Sequence, residues 1–528
     1  MKANIQILAA ALILCLIAGS VMAQFGTEMV YYELNKPQRN LNPISANDLQ
    51  VFRIDELIFD ALYSWDPQGN IIPQMAQGLP KSIDDGKGAL VMLKNNLKWP
   101  DSSEITVDDV ILTFTKKYTE IDDTRRRLEL IKSVNPGEAP NSIIFKFERK
   151  VAHPERLLAN IFILPSKKLD TSKKFSYFCE HPMGAGPYGL DNISISRNSY
   201  YFIKNPNYST IAAGRPLIDR VKLMYWWSKA AWIPNILDGV VDILPGMEFN
   251  PELSSKPRII SKPVNTNTVA MILINTNDPV LKNIDIRNGL QHIISRNDIY
   301  DKKYFGDSTL VLTGPYSPAS HFFNYKVPSW VYSPEKAHSL FRKSGLLTVN
   351  NGKVMNKKDN KQWKLSLKTF ITAAGERENL RDALEAVNSY LYSGGINSKI
   401  EYLPMEGYVR ALEKGDFQLI YMEITFDDNF DIEPYFSSSA IRRNGGRNYG
   451  GYSNSKVDKA FAQLSKSSVP QEQQNIGKEI HQLLHDDPPA LFLWNLLKWS
   501  YVRMELEDVN IMPFYFFSTI DQWKKKAE

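Results

Sequence analysis

Residues 380–402 set the terms for any fold of this chain. Leu380, Leu384, Val387 and Leu391 recur at the spacing of one helix face, Gly394-Gly395 stops that pattern, and Ile396 to Tyr402 continues as a strand. A helix that ends in a glycine turn and feeds a strand belongs to a mixed α/β structure rather than to a bundle or a sandwich. The same signals return elsewhere. Ser333-Pro334-Glu335 supplies an N-cap, a proline at the first helical position and an early acid; Ala337, Leu340 and Phe341 then share a face, and Gly345 ends it. Asn454 to Asp458 caps a further segment whose Val457, Phe461 and Leu464 line one side. No unit of about 20 to 50 residues repeats, and no low-complexity tether divides the chain. The domains are therefore expected to join through short crossovers.

The amino terminus reads differently. After Lys2, an apolar stretch from Ile5 to Val21 closes on Ala18, Gly19 and Ser20, and Val21-Met22-Ala23 precedes a polar Gln24. This is the pattern of a secretory signal peptide, with cleavage expected after Ala23 and the mature protein outside the inner membrane. Cys15 sits between Leu14 and Leu16, without the small residues that precede a lipidated cysteine, so no lipid is expected. No later run reaches the length of about 18 apolar residues that a membrane span needs. The mature chain is longer than one hydrophobic core usually serves, so at least two domains are expected.

Composition excludes several classes of function. With 43% hydrophobic and 23% charged residues the 528-residue chain is an ordinary globular protein. Its formal net charge of +5 is spread along the sequence and leaves no nucleic-acid footprint. The short runs Arg125-Arg126-Arg127 and Lys524-Lys525-Lys526 read as solvated faces. Cys179 is the only cysteine left after cleavage, so no internal disulfide can form, and it reads as a buried, inert thiol. His481 and His485 have the spacing of a helical zinc site but lack the glutamate that follows the first histidine in metalloproteases, so a surface helix is the better reading. Gly184-Ala185-Gly186-Pro187 lacks a third glycine, and no Gly-x-Ser-x-Gly elbow occurs. Neither a catalytic constellation, a metal site nor a cofactor is expected.

A series of short landmarks then accumulates in order. Leu41-Asn42-Pro43, Ile58-Phe59-Asp60-Ala61-Leu62, Trp65-Asp66, Gly69-Asn70-Ile71-Ile72-Pro73, Leu97-Lys98-Trp99 and Ile105 to Val110 occupy the first part. Gly184 to Tyr188, Asn205-Pro206-Asn207-Tyr208, Gly239 to Ile243, Asp285 to Leu290, Ser295 to Ile299, Tyr452 to Asp458 and Asp487 to Leu493 follow. In this order the chain resembles the family-5 extracellular solute-binding proteins, the oligopeptide, dipeptide and nickel receptors of ABC importers. The resemblance implies a two-lobed periplasmic binding protein of the large α/β class, with a hinge between the lobes. Lobe I would run from 24 to 265, with an inserted subdomain at about 56–180, and lobe II from 266 to 493. Residues 494–528 would return to lobe I. It also implies a periplasmic, non-enzymatic receptor, expected to be a monomer, that hands a peptide or small-molecule ligand to an inner-membrane ABC permease.

The resemblance also implies where the ligand sits. In peptide receptors of the family an aspartate after an apolar strand pairs with the ligand's free amine, which falls here on Asp428, with Asp427 the one-residue alternative. A buried ammonium needs such a partner, because an unpaired charge in a closed cleft is costly. Main chain of Ser45 to Leu49, including Asn47, and of Met422 to Thr425 would bond the ligand backbone, which gives affinity without reading side chains. Phe426 lies beside the acids, and Arg447 and Tyr449 follow a glycine pair in a loop that the resemblance puts near the cleft. Trp226, Trp227 and Trp232 read as core. One departure bears on specificity: Thr425 stands where peptide receptors commonly carry a tryptophan. A metal chelate, a sugar derivative or a cell-wall peptide therefore stays open as ligand, as does a role as a peptide-binding chaperone.

Overall fold

The computed structural model describes residues 27–33, 36, 41, 43, 49–66, 70–115, 127–169, 175–194, 197–208, 211–225, 231–299, 311–318, 320–370, 378–426, 430–441, 446–467, 469–512 and 515–526. They divide into two units: unit 1 takes in Met1–Met247, Glu252–Lys262 and Trp499–Glu528, and unit 2 takes in Glu248–Pro251 and Pro263–Lys498. The long strands Ile259–Ile274 and Ala490–Arg503 each carry the chain from one unit to the other. The signal segment lies outside the described residues, and among those described no helix is long and apolar enough to cross a membrane.

Among the described residues unit 1 holds two large cores and a small cluster of Trp65, Met512 and Tyr515. In the first, Glu28–Glu33 pairs in parallel with Arg220–Tyr225 and, through Tyr31, with Ile243–Met247. Arg220–Tyr225 is antiparallel to Ser199–Lys204, which pairs with Tyr188–Ser194. Helix Leu49–Ile58 buries Val51, Ile54, Leu57 and Ile58 against this sheet, because those positions recur on one face. The second core is a four-stranded antiparallel sheet of Lys81–Ile83, Gly88–Met92, Ser142–Phe147 and Ile131–Pro136. Val110 and Phe114 of helix Val107–Thr115 pack on it. Asp109 of that helix is buried but satisfied: one carboxylate oxygen accepts Thr106 N–H at 2.8 Å, and the other accepts Ser166 N–H at 2.7 Å. Cys179 is buried, as expected, and burial first, then the nearby Asp55 carboxylate, pushes its thiol up to about 12.

In unit 2 strand Leu419–Thr425 runs antiparallel to Ile259–Ile274 and parallel to Lys364–Thr369, which pairs in parallel with Asn397–Tyr402. Both faces are covered. Leu419 and Tyr421 enter one core with Leu290, Leu384, Val387 and Leu391, while Ile420, Met422 and Ile424 enter another with Phe461, Leu484 and Phe492. This is why the strand reads as an apolar run rather than an alternation. The expected helices form at Glu378–Ser393, Pro334–Lys343 and Ser455–Lys466. The Ser333 hydroxyl accepts Lys336 N–H at 3.2 Å, and the Asn454 amide oxygen accepts Lys456 N–H at 2.9 Å.

Two landmarks of the sequence meet here. Arg287 of helix Ile284–Ile293 binds the Asp487 carboxylate and donates to Pro488 O at 3.0 Å; Gln291 donates to Ala490 O at 2.8 Å; Arg296 donates to Phe492 O at 2.7 Å. The segment Asp487 to Phe492 is thus held along its main chain by one helix and the first residue of the next, Arg296–Ile299.

Three readings need correction. Arg127 is not solvated: it is half-buried and donates its Nη1 to Ala159 O at 2.7 Å, while Arg125 and Arg126 lie outside the described residues. Helix Pro470–Asp486 is not simply a surface helix: His481 is fully buried, Thr313 lies 3.0 Å from its Nε2, and Phe323 meets its ring edge-on. The neighbours that bury it lie about 160 residues away in sequence. Nor is Lys525 solvated, because its Nζ sits 2.8 Å from the buried Asp242 carboxylate and 2.8 Å from Glu28 O. Lys524 and Lys526 pair with Asp508 and Glu507 at the surface.

Candidate ligand-binding site

Strand Leu419–Thr425 stops at Thr425, which is exposed and directly opposite Thr268; the two hydroxyls lie 2.8 Å apart. Two residues earlier Glu423 is half-buried and accepts Tyr421 O–H at 2.6 Å. The chain then turns inward. Phe426 donates its N–H to Asn267 O at 3.2 Å, and its side chain, 4% exposed, meets Tyr435 edge-on with centroids 6.0 Å apart. Phe430 is equally buried and lies 6.3 Å from Phe426. Its backbone φ of 49° is uncommon for an aromatic residue, so packing of the ring must hold the turn.

Asp427 and Asp428 fall between these two rings in sequence and lie outside the described residues, as do Ser45 and Asn47. Asp431, just beyond, is exposed and accepts Glu433 N–H at 3.1 Å, and its charge adds to the burial that raises the Tyr316 phenol. The helical turn Glu433–Phe436 then presents Tyr435 to the loop that carries Arg447. Arg447 donates its N–H to Pro434 O at 2.8 Å and its Nη1 to the Tyr435 hydroxyl at 2.7 Å. Between Arg447 and Tyr449, Asn448 is buried and donates to Ser437 O at 2.9 Å and Tyr452 O at 2.8 Å, while its oxygen accepts Tyr452 N–H at 3.0 Å. That amide fixes the loop, so its neighbours have defined positions. Tyr449 packs on the core that contains Phe426 and Phe436.

The structure therefore links Thr425, Phe426, Arg447 and Tyr449 through one chain of contacts, with Tyr435 as the joint. Sequence reading missed Tyr435, Asn448 and Thr268 as site residues. Tyr435 stood in the acid and aromatic segment and could have been chosen; Asn448 stood between two chosen residues. Thr268 carried no signal, because only strand pairing brings it to Thr425. The exposed Thr425 hydroxyl, the half-buried Arg447 guanidinium and the half-buried rings of Tyr435 and Tyr449 can bind a polar ligand. Among the described residues no group of three or more His, Cys, Asp or Glu side chains is placed to hold a metal ion.

The family model described as bacterial extracellular solute-binding proteins, family 5 Middle, matches residues 70–446. The chain belongs to this family. Members are binding proteins rather than enzymes. The oligopeptide-binding protein AppA of Bacillus subtilis is 23% identical over 532 residues, covering 95% of this chain and 92% of its own. The nickel-binding protein NikA of Staphylococcus aureus is 24% identical and covers 82% of each chain. The solved structure of Bacillus subtilis AppA in complex with a nonapeptide superposes with a TM-score of 0.73 at 22% identity, covering 96% of this chain and all of that one. The two-lobed α/β fold of the family-5 solute-binding proteins is thus shared along the chain, and the Phe426 to Tyr435 segment lies inside the matched region.

Proposed function

We propose that this family-5 protein is the periplasmic substrate-binding component of an ABC importer and captures peptides. The observation that carries the reading is the likeness to the oligopeptide-binding AppA over 95% of this chain and 92% of the relative. In this reading Asp428, or Asp427 beside it, pairs with the free amine of the peptide. Thr425, Ser45 and Asn47 meet the ligand backbone, Tyr449 walls it, Arg447 offers a guanidinium, and Phe426, buried against Tyr435, supports the wall from behind. A signal peptide ending at Ala23 exports the protein, and closure about a hinge near Asn265 and Trp494 presents the loaded receptor to the permease. The chain acts as a monomer.

A second reading follows from NikA, whose name records a nickel ligand, together with Thr425 where a tryptophan is usual: the ligand is then a metal chelate or another small polar molecule. Mass spectrometry of ligand released from the purified, denatured protein separates the two. A bound peptide is expected; a chelate or a sugar derivative overturns the first reading. For an identified free-amine peptide, Asp428→Asn should weaken binding by about 2 to 5 kcal/mol. Calorimetry checks it, and loss in Asp427→Asn alone would move the anchor by one residue.

A further inference from the structure

Unit 1 contains a cavity with about 40 Å³ of water-accessible volume, lined by Glu56, Asp60, Asp521, Gln74, Asn160 and Ser518 among others. It lies where helix Leu49–Ile58 and the segment after it meet the C-terminal stretch Tyr515–Gln522. All three carboxylates are more than nine-tenths buried. Glu56 Oε2 accepts Phe517 N–H at 3.0 Å, which ties the C-terminal stretch to the helix. Asp60 accepts Ala61 N–H at 2.7 Å, and Gln74, at 3.5 Å from Asp60, also reaches the Tyr208 hydroxyl at 3.2 Å. Asn160 and Ser518 belong to the lining, and the Asn160 amide nitrogen and the Ser518 hydroxyl are buried atoms with no hydrogen-bond partner among the described residues. A cavity of this size has room for a water molecule, through which the acids could exchange protons with the solvent.

The surrounding charges do not neutralise three carboxylates. Facing Glu56 are Arg53 and Asp55 on its own helix, with Tyr31 from strand Glu28–Glu33. Arg53 is committed to Glu33 by two bonds of 2.6 and 2.7 Å. Facing Asp60 are Asp521 and Lys94, whose Nζ donates to Ile211 O at 3.0 Å. Facing Asp521 are Arg215, which reaches its main-chain oxygen at 3.4 Å, and the phenols of Tyr188 and Tyr208. Ionising all the acids would leave like charges around one small cavity.

We propose that Glu56, Asp60 and Asp521 form a proton-dependent latch that holds the C-terminal stretch Tyr515–Gln522 to unit 1, closed while the acids keep protons and loosened as they ionise together. Burial is the largest cause that pushes Glu56 up to about 8 and Asp60 up to about 7, and it raises Asp521 as well. The sign follows from linkage. Acids whose pKa is raised on folding give stability that is complete below the ordinary carboxylate range and is lost as pH climbs through about 7 to 8. A receptor outside the inner membrane meets the pH of its surroundings, so the latch would make its C-terminal stretch responsive to that pH.

Hydrogen exchange of the peptide spanning Tyr515–Gln522, in the full mature chain, tests the latch. After correction for intrinsic rates, protection should fall at least about tenfold between pH 5.5 and 8.5, and Glu56→Gln, which keeps the acceptor for Phe517 N–H, should remove most of that dependence. Unchanged protection in the unmutated chain, or the same loss in Glu56→Gln, overturns the proposal. If the variant does not fold, infrared difference spectra of the unmutated chain decide instead: protonated carboxylic acid intensity that is lost between pH 6 and pH 8.5 supports the latch, and intensity unchanged over that range, such as Asp55 alone would give, overturns it.

Discussion

In unit 2 the Arg296 guanidinium lies in the interior, where each of its three nitrogens donates a hydrogen bond: to Phe492 O at 2.7 Å, to Gln291 O at 2.9 Å and to the Gln291 side-chain oxygen. In unit 1 the Asp55 carboxylate is just as deeply buried, yet neither of its oxygens has a hydrogen-bond partner among the described residues. Burial lowers Arg296 to about 9, so it stays charged at neutral pH, whereas burial raises Asp55 well above its ordinary value. A guanidinium brings five donors and can be met by main-chain carbonyls wherever the chain passes, while a carboxylate needs N–H groups, most of which are already used by strands and helices. Unit 2 thus uses buried cations as fixed clamps on Asp487 to Phe492, and unit 1 carries buried acids that can titrate.

The largest test of this contrast is Arg287→Ala. It leaves the Asp487 carboxylate, 17% exposed, without its ion pair and frees Pro488 O, so unit 2 should lose about 3 to 5 kcal/mol in urea unfolding. A cost below about 1 kcal/mol would mean that the clamp contributes little net stability.

A somewhat smaller effect separates the units by pH. Burial is the first cause that lowers His481 to about 4, followed by the nearby His485. A histidine depressed on folding gives stability that is present above its unfolded value near 6.5 and lost as pH falls toward 4. Unit 2 should therefore weaken by about 3 kcal/mol between pH 7 and 4, in the direction opposite to unit 1. Calorimetric scans across that range check it, and His481→Gln should flatten the acid limb. Equal slopes in both units would erase the distinction.

The smallest expected change supplies the baseline. Ser333→Ala removes one helix cap at the surface of unit 2 and touches no buried charge, so it should cost about 1 kcal/mol in the same urea experiment. A loss as large as that of Arg287→Ala would show that the measured values do not report on buried charge.

Much of the local structure was legible in the residues. The face Leu380, Leu384, Val387 and Leu391, the caps Ser333 and Asn454, and the turn at Gly394-Gly395 depend on neighbours within a few residues, so spacing alone specifies them. The ordered landmarks carried the family, and with it the two-lobed fold. Tertiary structure alone decided what those landmarks do. Arg287 and Arg296 are recognisable as a motif, but the carbonyls they hold lie about 200 residues on. Thr268 reaches Thr425 only through strand register, His481 is buried by a segment about 160 residues away, and Glu56 meets Phe517 across 461 positions. Sequence periodicity records which face of an element is apolar; it does not record which polar group from a distant segment will fill the remaining space, because that is set by packing of the whole chain.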